Sequence, residues 1–350
     1  MNKFFRFFLL VIVFLTFITT SCTPKKGEYS KRCVAFYNLE NLFDTINQEG
    51  VVDEEFIPRG KKMWTPDRYL EKLDNMARVI SLIGVGDSTP EGAVLLGVCE
   101  LENAGVMEDL AGTDILKDRN YKFVHYDSPY YRGMDVALFY QAKYFTVLSS
   151  SSHELNIPEI ENFTTRAQLL VSGILDDDTI HVIVNHWPSR RGGEEGSRHL
   201  RVAAAELTRS MADSLFNINP QAKIIVMGDL NDDPINESVK NTLSTHKDPE
   251  GMKKYQFYNP FENLHTEDYG SLAYRGAWNL FDQVLVSMAL TGKDNSSYKI
   301  YDANIFKREF LIQQEGKYKG YPWRTYSYDN YIGGYSDHLP VYIWLVKGER

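Results

Sequence analysis

The stretch Val226-Met227-Gly228-Asp229-Leu230-Asn231-Asp232-Asp233-Pro234 marks the point where a buried strand gives way to polar side chains. Residues 223–226 (Lys-Ile-Ile-Val) predict a short buried strand because they are mostly apolar and partly β-branched. Asp229 and Asn231 are two residues apart, so near a strand end their side chains point the same way. A carboxylate beside an amide suits a hard cation and a phosphate oxygen held together. These residue types are also common in turns, so this stretch alone leaves a turn and a site both open.

A second polar stretch, near the C-terminus, favours a site. Residues 333–341 (Gly-Gly-Tyr-Ser-Asp-His-Leu-Pro-Val) lead into the apolar run 342–346. Gly-Asp-Leu-Asn followed by Ser-Asp-His-x-Pro-Val resembles the endonuclease/exonuclease/phosphatase superfamily, which includes pancreatic-type deoxyribonuclease and the abasic-site endonucleases. The resemblance covers about residues 32–347. Five more segments match in the expected order: Phe-Tyr-Asn-Leu-Glu-Asn (36–41), Gly-Val-Cys-Glu-Leu-Glu-Asn (97–103), Asp-Val-Ala-Leu-Phe-Tyr (135–140), Val-Asn-His-Trp-Pro (184–188) and Phe-Asp-Gln-Val-Leu-Val-Ser (281–287).

The resemblance implies an α/β fold, a four-layer α/β/β/α sandwich of two mixed sheets flanked by helices, with the site at one edge. Strands alternate with helices without a break in composition, which favours one domain over residues 32–350. Thr65-Pro66-Asp67 predicts a helix start, with a cap, a proline at the first position and an acid in the first turn. The other main predicted elements are strands at Arg32–Tyr37 and Ala93–Val98 and a helix at Ser197–Leu215.

Two strand pairings are also predicted. Met134–Tyr140 and Tyr144–Leu148 look like paired strands, and Gln168–Ile174 with Thr179–Val184 looks like a hairpin. The hairpin would turn at residues 176–178, three aspartates. A calcium site and a solvated turn are both compatible with three aspartates, and the turn is favoured because no further ligand spacing surrounds them.

The resemblance assigns the metal-binding roles. It implies that Glu100 is the principal metal ligand, assisted by Asn38 and Asp337, and that Asp229 and Asn231 orient the attacking water and the phosphate. Oxygen donors of this kind favour Mg²⁺ or Mn²⁺ over zinc. Glu100 also follows a buried strand, where it could simply cap the next helix, although Asn103 is the better cap.

The resemblance also assigns two histidines to the chemistry. Asp282 matches the family position that pairs with the catalytic histidine, here His338. His186 matches a histidine that contacts the scissile phosphate in the deoxyribonuclease branch, and Asp135 is the positional match for the acid that orients it. A purely structural role for His186 remains the alternative.

Basic residues are few, but several flank the motifs. The net charge of −9 gives no basic field to attract a polyanion. This charge argues against tight nucleic-acid binding, but it does not exclude a nuclease that offsets phosphate charge with metal ions and local arginines, whose planar fork donates two hydrogen bonds to a phosphate. The candidates for phosphate binding are Arg132, Arg190 and Arg191.

The N-terminus resembles a bacterial lipoprotein signal. Residues 1–21 combine basic residues with an apolar run, and the small residues Thr-Thr-Ser precede Cys22. We expect acylation of Cys22, a polar tether over residues 23–31, and an exported protein anchored to the membrane at the periplasmic or cell-surface side. An ordinary signal peptide or a single membrane anchor are the alternatives.

Two further cysteines raise the question of a disulfide. An exported protein could join Cys33 and Cys99. The resemblance places Asn38 beside Glu100, so the two cysteines are offset by four residues, about 13 Å along a strand. Since a disulfide needs Cα atoms within about 7 Å, we expect two buried thiols.

These features predict an exported, monomeric, metal-dependent phosphodiester hydrolase, a nuclease that acts on DNA. Two alternatives are a phosphatase or phosphodiesterase acting on inositol-phosphate or lipid head groups, and a non-catalytic surface-binding lipoprotein. The intact set of acids and histidines argues against the last, because binding alone needs no general acid–base pair.

Overall fold

A computed structural model describes residues 29–266 and 269–348. Its α-helices are α1 (Pro66–Leu82), α2 (Ala104–Gly112) and α3 (Glu194–Ile218). Its strands are β1 (Tyr29–Leu42), β2 (Ala93–Leu101), β3 (Tyr121–His125), β4 (Asp135–Gln141), β5 (Phe145–His153), β6 (Gln168–Leu175), β7 (Asp178–His186), β8 (Ile224–Asp229), β9 (Thr245–His246), β10 (Phe257–Tyr258), β11 (Leu272–Tyr274), β12 (Ala277–Asn279), β13 (Asp282–Ser287), β14 (Lys299–Ile305), β15 (Tyr326–Ser327), β16 (Asn330–Tyr331) and β17 (Val341–Gly348). Among these residues no helix has the length and apolar character needed to cross a membrane. The predicted signal peptide, Cys22 and residues 23–28 lie outside the described residues.

Most strands form two mixed sheets. One sheet has the order β14-β17-β1-β2-β4-β3 and the other β5-β6-β7-β8-β13-β10-β9. Each sheet contains a central parallel pair, β1 with β2 and β7 with β8. Helix α3 packs on the second sheet, where Met211 and Phe216 join a cluster with Val226 and Leu285. The predicted four-layer sandwich of two mixed sheets flanked by helices is confirmed.

Strand β8 shows why the sequences of the central strands are continuous apolar runs. Its side chains alternate between two cores: Ile225 and Met227 join the main core, and Ile224 and Val226 join the core under α3. A strand covered on both faces needs apolar residues at every position. Gly97 of β2 lies against Met227, where a Cβ atom would come within 2.5 Å of the Met227 sulfur. The two sheets therefore approach closely beside the end of β8.

Some predicted elements need correction. Strand β1 begins at Tyr29, so the last three residues of the predicted tether belong to a strand. The predicted pairing of Met134–Tyr140 with Tyr144–Leu148 is wrong, because β4 pairs with β2 and β3 whereas β5 pairs with β6 in the other sheet. The chain crosses between the sheets here, and a short connection looks the same in the sequence as a hairpin.

Two other predictions about this part of the chain are confirmed. Strands β6 and β7 form the predicted hairpin. Cys33 and Cys99 are free and buried. In the β1–β2 register, Cys33 lies opposite Ala93 and Asn38 lies opposite Cys99, so the two thiols sit at different levels of the sheet.

Candidate active site

Strand register builds one half of the site. In the parallel pair β7–β8, His186 lies opposite Asp229, and in the antiparallel pair β8–β13, Asp282 lies opposite Asp229. Three polar side chains therefore stand in a row across three adjacent strands. His338, just before β17, completes the row: its Nδ1 is 2.6 Å from Asp282 Oδ2.

The other sheet contributes the remaining polar groups. The Asn38 amide donates a hydrogen bond to Asp229 Oδ2 over 3.1 Å, which joins the two sheets at their edge. Glu100 Oε1 is 3.8 Å from His186 Nε2, and its Oε2 accepts a bond from the Asn41 N–H. Asp337 Oδ1 is 4.0 Å from His338 Nε2. The structure thus brings together Asn38, Glu100, Asp229, Asp282, Asp337, His186 and His338.

The backbone at this edge is held in unusual conformations. Glu40, Asn41, Glu100 and Asn231 all have positive φ, between 47° and 60°. Each such non-glycine residue costs roughly 1–3 kcal/mol, and strain of this kind concentrates at functional sites. Asn231 is not simply two residues further along a strand: its N–H bonds Asp229 Oδ1 and its side-chain amide bonds the Trp187 carbonyl.

The pKa values of the two histidines are shifted in opposite directions. Burial opposes a charge on His338, but the neighbouring carboxylates of Asp282, Asp229 and Asp337 outweigh it and raise the His338 pKa well above its ordinary value. Burial lowers the pKa of His186 well below its ordinary value, and the cations around it act in the same direction. Burial raises the pKa of Asp229 to about 7, an effect only partly offset by His338.

The same residues fit a hard divalent cation. Several carboxylates and an amide converge here, and the carboxylates of Asp282 and Glu100 add to the effect of burial in raising the Asp229 pKa. The Glu100 and Asp337 side chains are 19% and 30% exposed, whereas that of Asp229 is only 3% exposed. Glu100 and Asp337 therefore line the open side of the cluster, where a hydrated ion can enter. Oxygen donors of this type suit Mg²⁺ or Mn²⁺.

Asp135 does not orient His186. Its carboxylate is 2.9 Å from His125 Nε2 and accepts bonds from the backbone N–H and hydroxyl of Ser128. His186 Nδ1 is buried and has no hydrogen-bond partner within the described residues. The prediction failed because the antiparallel β3–β4 pair brings His125 to the end of β4.

The three predicted phosphate-binding arginines differ in their surroundings. Arg190 forms ion pairs with Glu194, Asp232 and Asp233 at 3.0–3.2 Å. Its guanidinium therefore holds these carboxylates in place instead of making the predicted phosphate contact. Arg132 lies 3.4 Å from Asn41 Oδ1 and helps to lower the His186 pKa, which places it beside the site. Arg191 is exposed and contacts the Tyr131 hydroxyl at 3.4 Å.

Two other arginines approach the site from segments without a motif. Arg166 is buried, lies over the Tyr130 ring at 4.9 Å and also lowers the His186 pKa. Arg324 pairs with Asp337 and lies 3.4 Å from Glu40. Neither carries a sequence signal, because tertiary packing alone brings them here.

Fold and site together define the class of protein, a phosphoester hydrolase. Residues 33–347 match the Endonuclease/Exonuclease/phosphatase family, and the chain belongs to that family. No curated protein sequence matches the chain.

Several solved structures share the fold. D. rerio TDP2, humanized by 14 mutations, has a TM-score of 0.55 at 16% identity, with 90% of this chain and 99% of that chain covered. An endonuclease/exonuclease/phosphatase family protein from Bacteroides thetaiotaomicron has a TM-score of 0.55 at 15% identity, covering 92% and 100%. A mannosyl-6-phosphatase from the same organism has a TM-score of 0.53 at 15% identity, covering 90% and 99%. Identities this low establish the shared fold and leave the substrate open.

Proposed function

We propose that this protein is a metal-dependent nuclease that hydrolyses phosphodiester bonds in DNA. The observation that carries the proposal is the His338–Asp282 pair, 2.6 Å apart, held within 3.8 Å of Asp229 beside the Glu100 and Asn38 side chains. A further support is that D. rerio TDP2, which shares the fold, was solved in complex with single strand DNA product.

The residues divide the chemistry between them. Glu100, Asn38 and Asp337 would hold the Mg²⁺ or Mn²⁺ ion, which neutralises phosphate charge when bound. Asp229 accepts the proton of the attacking water, and its raised pKa makes it a stronger base than an ordinary aspartate. His338 is charged at neutral pH and gives a proton to the leaving oxygen as the P–O bond breaks. His186 stays neutral, and its Nε2, which faces Asp229 and Glu100, is the ring nitrogen placed to contact a phosphate oxygen.

Nicking of plasmid DNA and cleavage of a labelled single strand, assayed beside inositol-phosphate release with the detergent-solubilised full chain, test this proposal. We expect DNA cleavage with Mg²⁺ or Mn²⁺, none with excess chelator, and cleavage about 100-fold slower or more with the His338→Ala variant. Glu100→Gln should raise the metal concentration that nicking needs, because it removes a charge from the ligand set. Inositol-phosphate release without DNA cleavage would favour the head-group phosphatase, and neither activity would favour a binding protein.

The proposed location is the periplasm or the cell surface, with an acyl anchor on Cys22. The support comes from the sequence: an apolar run preceded by basic residues and followed by small residues and a cysteine. A Cys22→Ser protein should be released to the soluble fraction or stay unprocessed. If it stayed membrane-bound at the mature size, another segment would hold it.

A further inference from the structure

A large cleft adjoins the proposed metal ligands. It has a volume of about 710 Å³, and its lining includes Asp337 and Asn41, whose N–H bonds Glu100. Two hairpins, β11–β12 and β15–β16, contribute further walls together with residues 317–325. The cleft is therefore continuous with the catalytic cluster.

Tyrosine rings dominate this cleft. Tyr274, Tyr318, Tyr321, Tyr326 and Tyr328 line it. Tyr274 and Tyr328 are 60% and 74% exposed, so packing within the protein does not account for them. Exposed rings at an active-site opening provide flat faces for a ring-containing ligand.

The cleft also carries two cations that have no carboxylate partner in the part of the chain that the structure describes. Arg275 and Lys317 line it and form no ion pair with a carboxylate within residues 29–266 and 269–348. Lys317 Nζ lies 5.3 Å from the Tyr318 ring centre, and the Arg275 guanidinium lies 5.2 Å from that of Tyr274. In a chain with a net charge of −9, two cations that have no carboxylate partner among the described residues, set among exposed rings, are suited to an anionic, ring-containing ligand.

The hairpin turns place these side chains in conformations that favour glycine. Arg275 has a φ of 50° and Tyr328 a φ of 56°. If forming a tight turn were the only requirement, glycine would adopt this backbone conformation at a lower conformational cost at either position. The first turn is fixed to the cleft wall because the Gly276 N–H donates to the Tyr321 hydroxyl over 2.7 Å. The side chains at the two turn tips are therefore presented to the cleft by a held backbone.

We infer that this cleft binds the unpaired nucleotides next to the scissile phosphate, so that the substrate is single-stranded DNA. The inference rests on the proposed function and specifies its substrate. Bases stack on aromatic side chains only when they are free of a duplex partner, whereas cations such as Lys317 and Arg275 bind the successive phosphates. A duplex keeps its bases stacked on each other and would leave the tyrosine faces unused.

Binding measured by fluorescence anisotropy tests the inference without turnover. The full chain carrying His338→Ala, in detergent with Mg²⁺, would be titrated against labelled oligothymidylate and against a duplex of equal length. We expect tighter binding of the single strand. Adding Tyr274→Ala or Tyr328→Ala should weaken that binding roughly 5- to 150-fold, the range for loss of one stacked base. Lys317→Met should reduce the slope of log affinity against log salt by about 0.7, the value for one phosphate contact.

A matched control is Tyr301→Ala, which removes an exposed tyrosine on β14 outside the cleft lining. This control should bind like its parent, and each variant should unfold at the parent temperature. Equal affinity for single strand and duplex, or cleft variants that bind like the control, would overturn the inference. So would cleft variants that lose only the hydrolysis of sugar or inositol phosphates.

Failure of the proposed function gives a different result. If the wild-type protein cleaves the labelled single strand but the cleft variants bind normally, the nuclease proposal stands and the cleft assignment falls. If single strands bind through the cleft tyrosines but no phosphodiester is cleaved, the cleft assignment stands and the nuclease proposal falls.

Discussion

His338 and His186 lie at similar distances from one carboxylate, yet their surroundings differ. Their Nε2 atoms are 3.8 Å and 3.6 Å from Asp229 Oδ2, and their side chains are 9% and 5% exposed. The pKa of His338 is raised well above the ordinary value, whereas that of His186 is lowered well below it. Burial is therefore not what distinguishes them.

The difference comes from the second ring nitrogen. His338 Nδ1 is bonded to the buried Asp282 carboxylate, which fixes the ring and stabilises its charged form. His186 Nδ1 has no partner among the described residues, and Arg166 and Arg132 disfavour a charge on its ring. One site can therefore hold an imidazolium and a neutral imidazole at the same pH, as an acid and a hydrogen-bonding group require.

The largest expected effect is on His338. His338→Ala should lower kcat by about 100- to 10,000-fold, the usual contribution of a positioned acid or base. The metal concentration needed for half-maximal rate should change little, because His338 is not a proposed ligand. The measurement is cleavage of a labelled single strand at saturating substrate over a range of Mg²⁺ concentrations. A folded His338→Ala protein with near wild-type kcat would make His186 the leading acid–base candidate.

The next effect concerns the carboxylate that distinguishes the two histidines. Asp282→Asn should lower kcat less than His338→Ala, because the imidazole remains but its charge and tautomer lose support. The double variant should be about as slow as His338→Ala alone, since residues that act as one unit are not additive. Independent, multiplied losses in the double variant would contradict the pairing. Chemical unfolding of each variant is the control, because removing one partner can leave the other uncompensated in the interior.

A smaller effect should appear in the pH dependence of the free energy of unfolding, and the two histidines should contribute to it in opposite directions. The raised pKa of His338 means that its contribution is complete below the unfolded value of about 6.5 and is lost as pH rises through the folded pKa. The lowered pKa of His186 means the reverse: its contribution is complete above about 6.5 and is lost as pH falls.

Glutamine substitutions separate these two contributions. His338→Gln should flatten the free energy of unfolding on the alkaline side, and His186→Gln should flatten it on the acid side. Each difference from wild type is at most about 1.4 kcal/mol per pH unit, the slope for one proton. The measurement is urea unfolding with chelator present, at several pH values on both sides of the ordinary histidine pKa. Identical pH profiles for the two variants would show that the histidines do not differ as described.

The sequence predicted the fold, the His338–Asp282 pair and Asp229, but not Arg166, one of the cations beside His186. Asp282 and His338 were found because each lies in a motif at the edge of a strand, and the Asp229 stretch follows a strand apolar on both faces. Arg166 lies in an irregular segment between β5 and β6, and its packing on Tyr130 and its hydrogen bond to the Trp187 carbonyl place it near His186. Periodicity and motif spacing carry no information about such contacts.

The smallest expected effect on catalysis is that of Asp135, for which sequence and structure make opposite predictions. If Asp135 orients His186, as the sequence indicated, Asp135→Asn should slow catalysis as Asp282→Asn does. In the structure Asp135 bonds His125 and Ser128, so its replacement should weaken the end of the β3–β4 pair by about 1–3 kcal/mol and leave kcat nearly unchanged.

Asp282→Asn is the matched control, because it makes the same chemical change in the other histidine–aspartate pair. Both variants should be assayed at a temperature where unfolding shows each to be fully folded, so that a stability loss is not read as a catalytic one. A kcat for Asp135→Asn close to wild type, beside a lowered kcat for Asp282→Asn, would support His186 as the histidine whose Nδ1 has no carboxylate partner. Equal losses in the two variants would mean that Asp135 reaches His186 during catalysis, and the contrast between the two histidines would then apply only to the free enzyme.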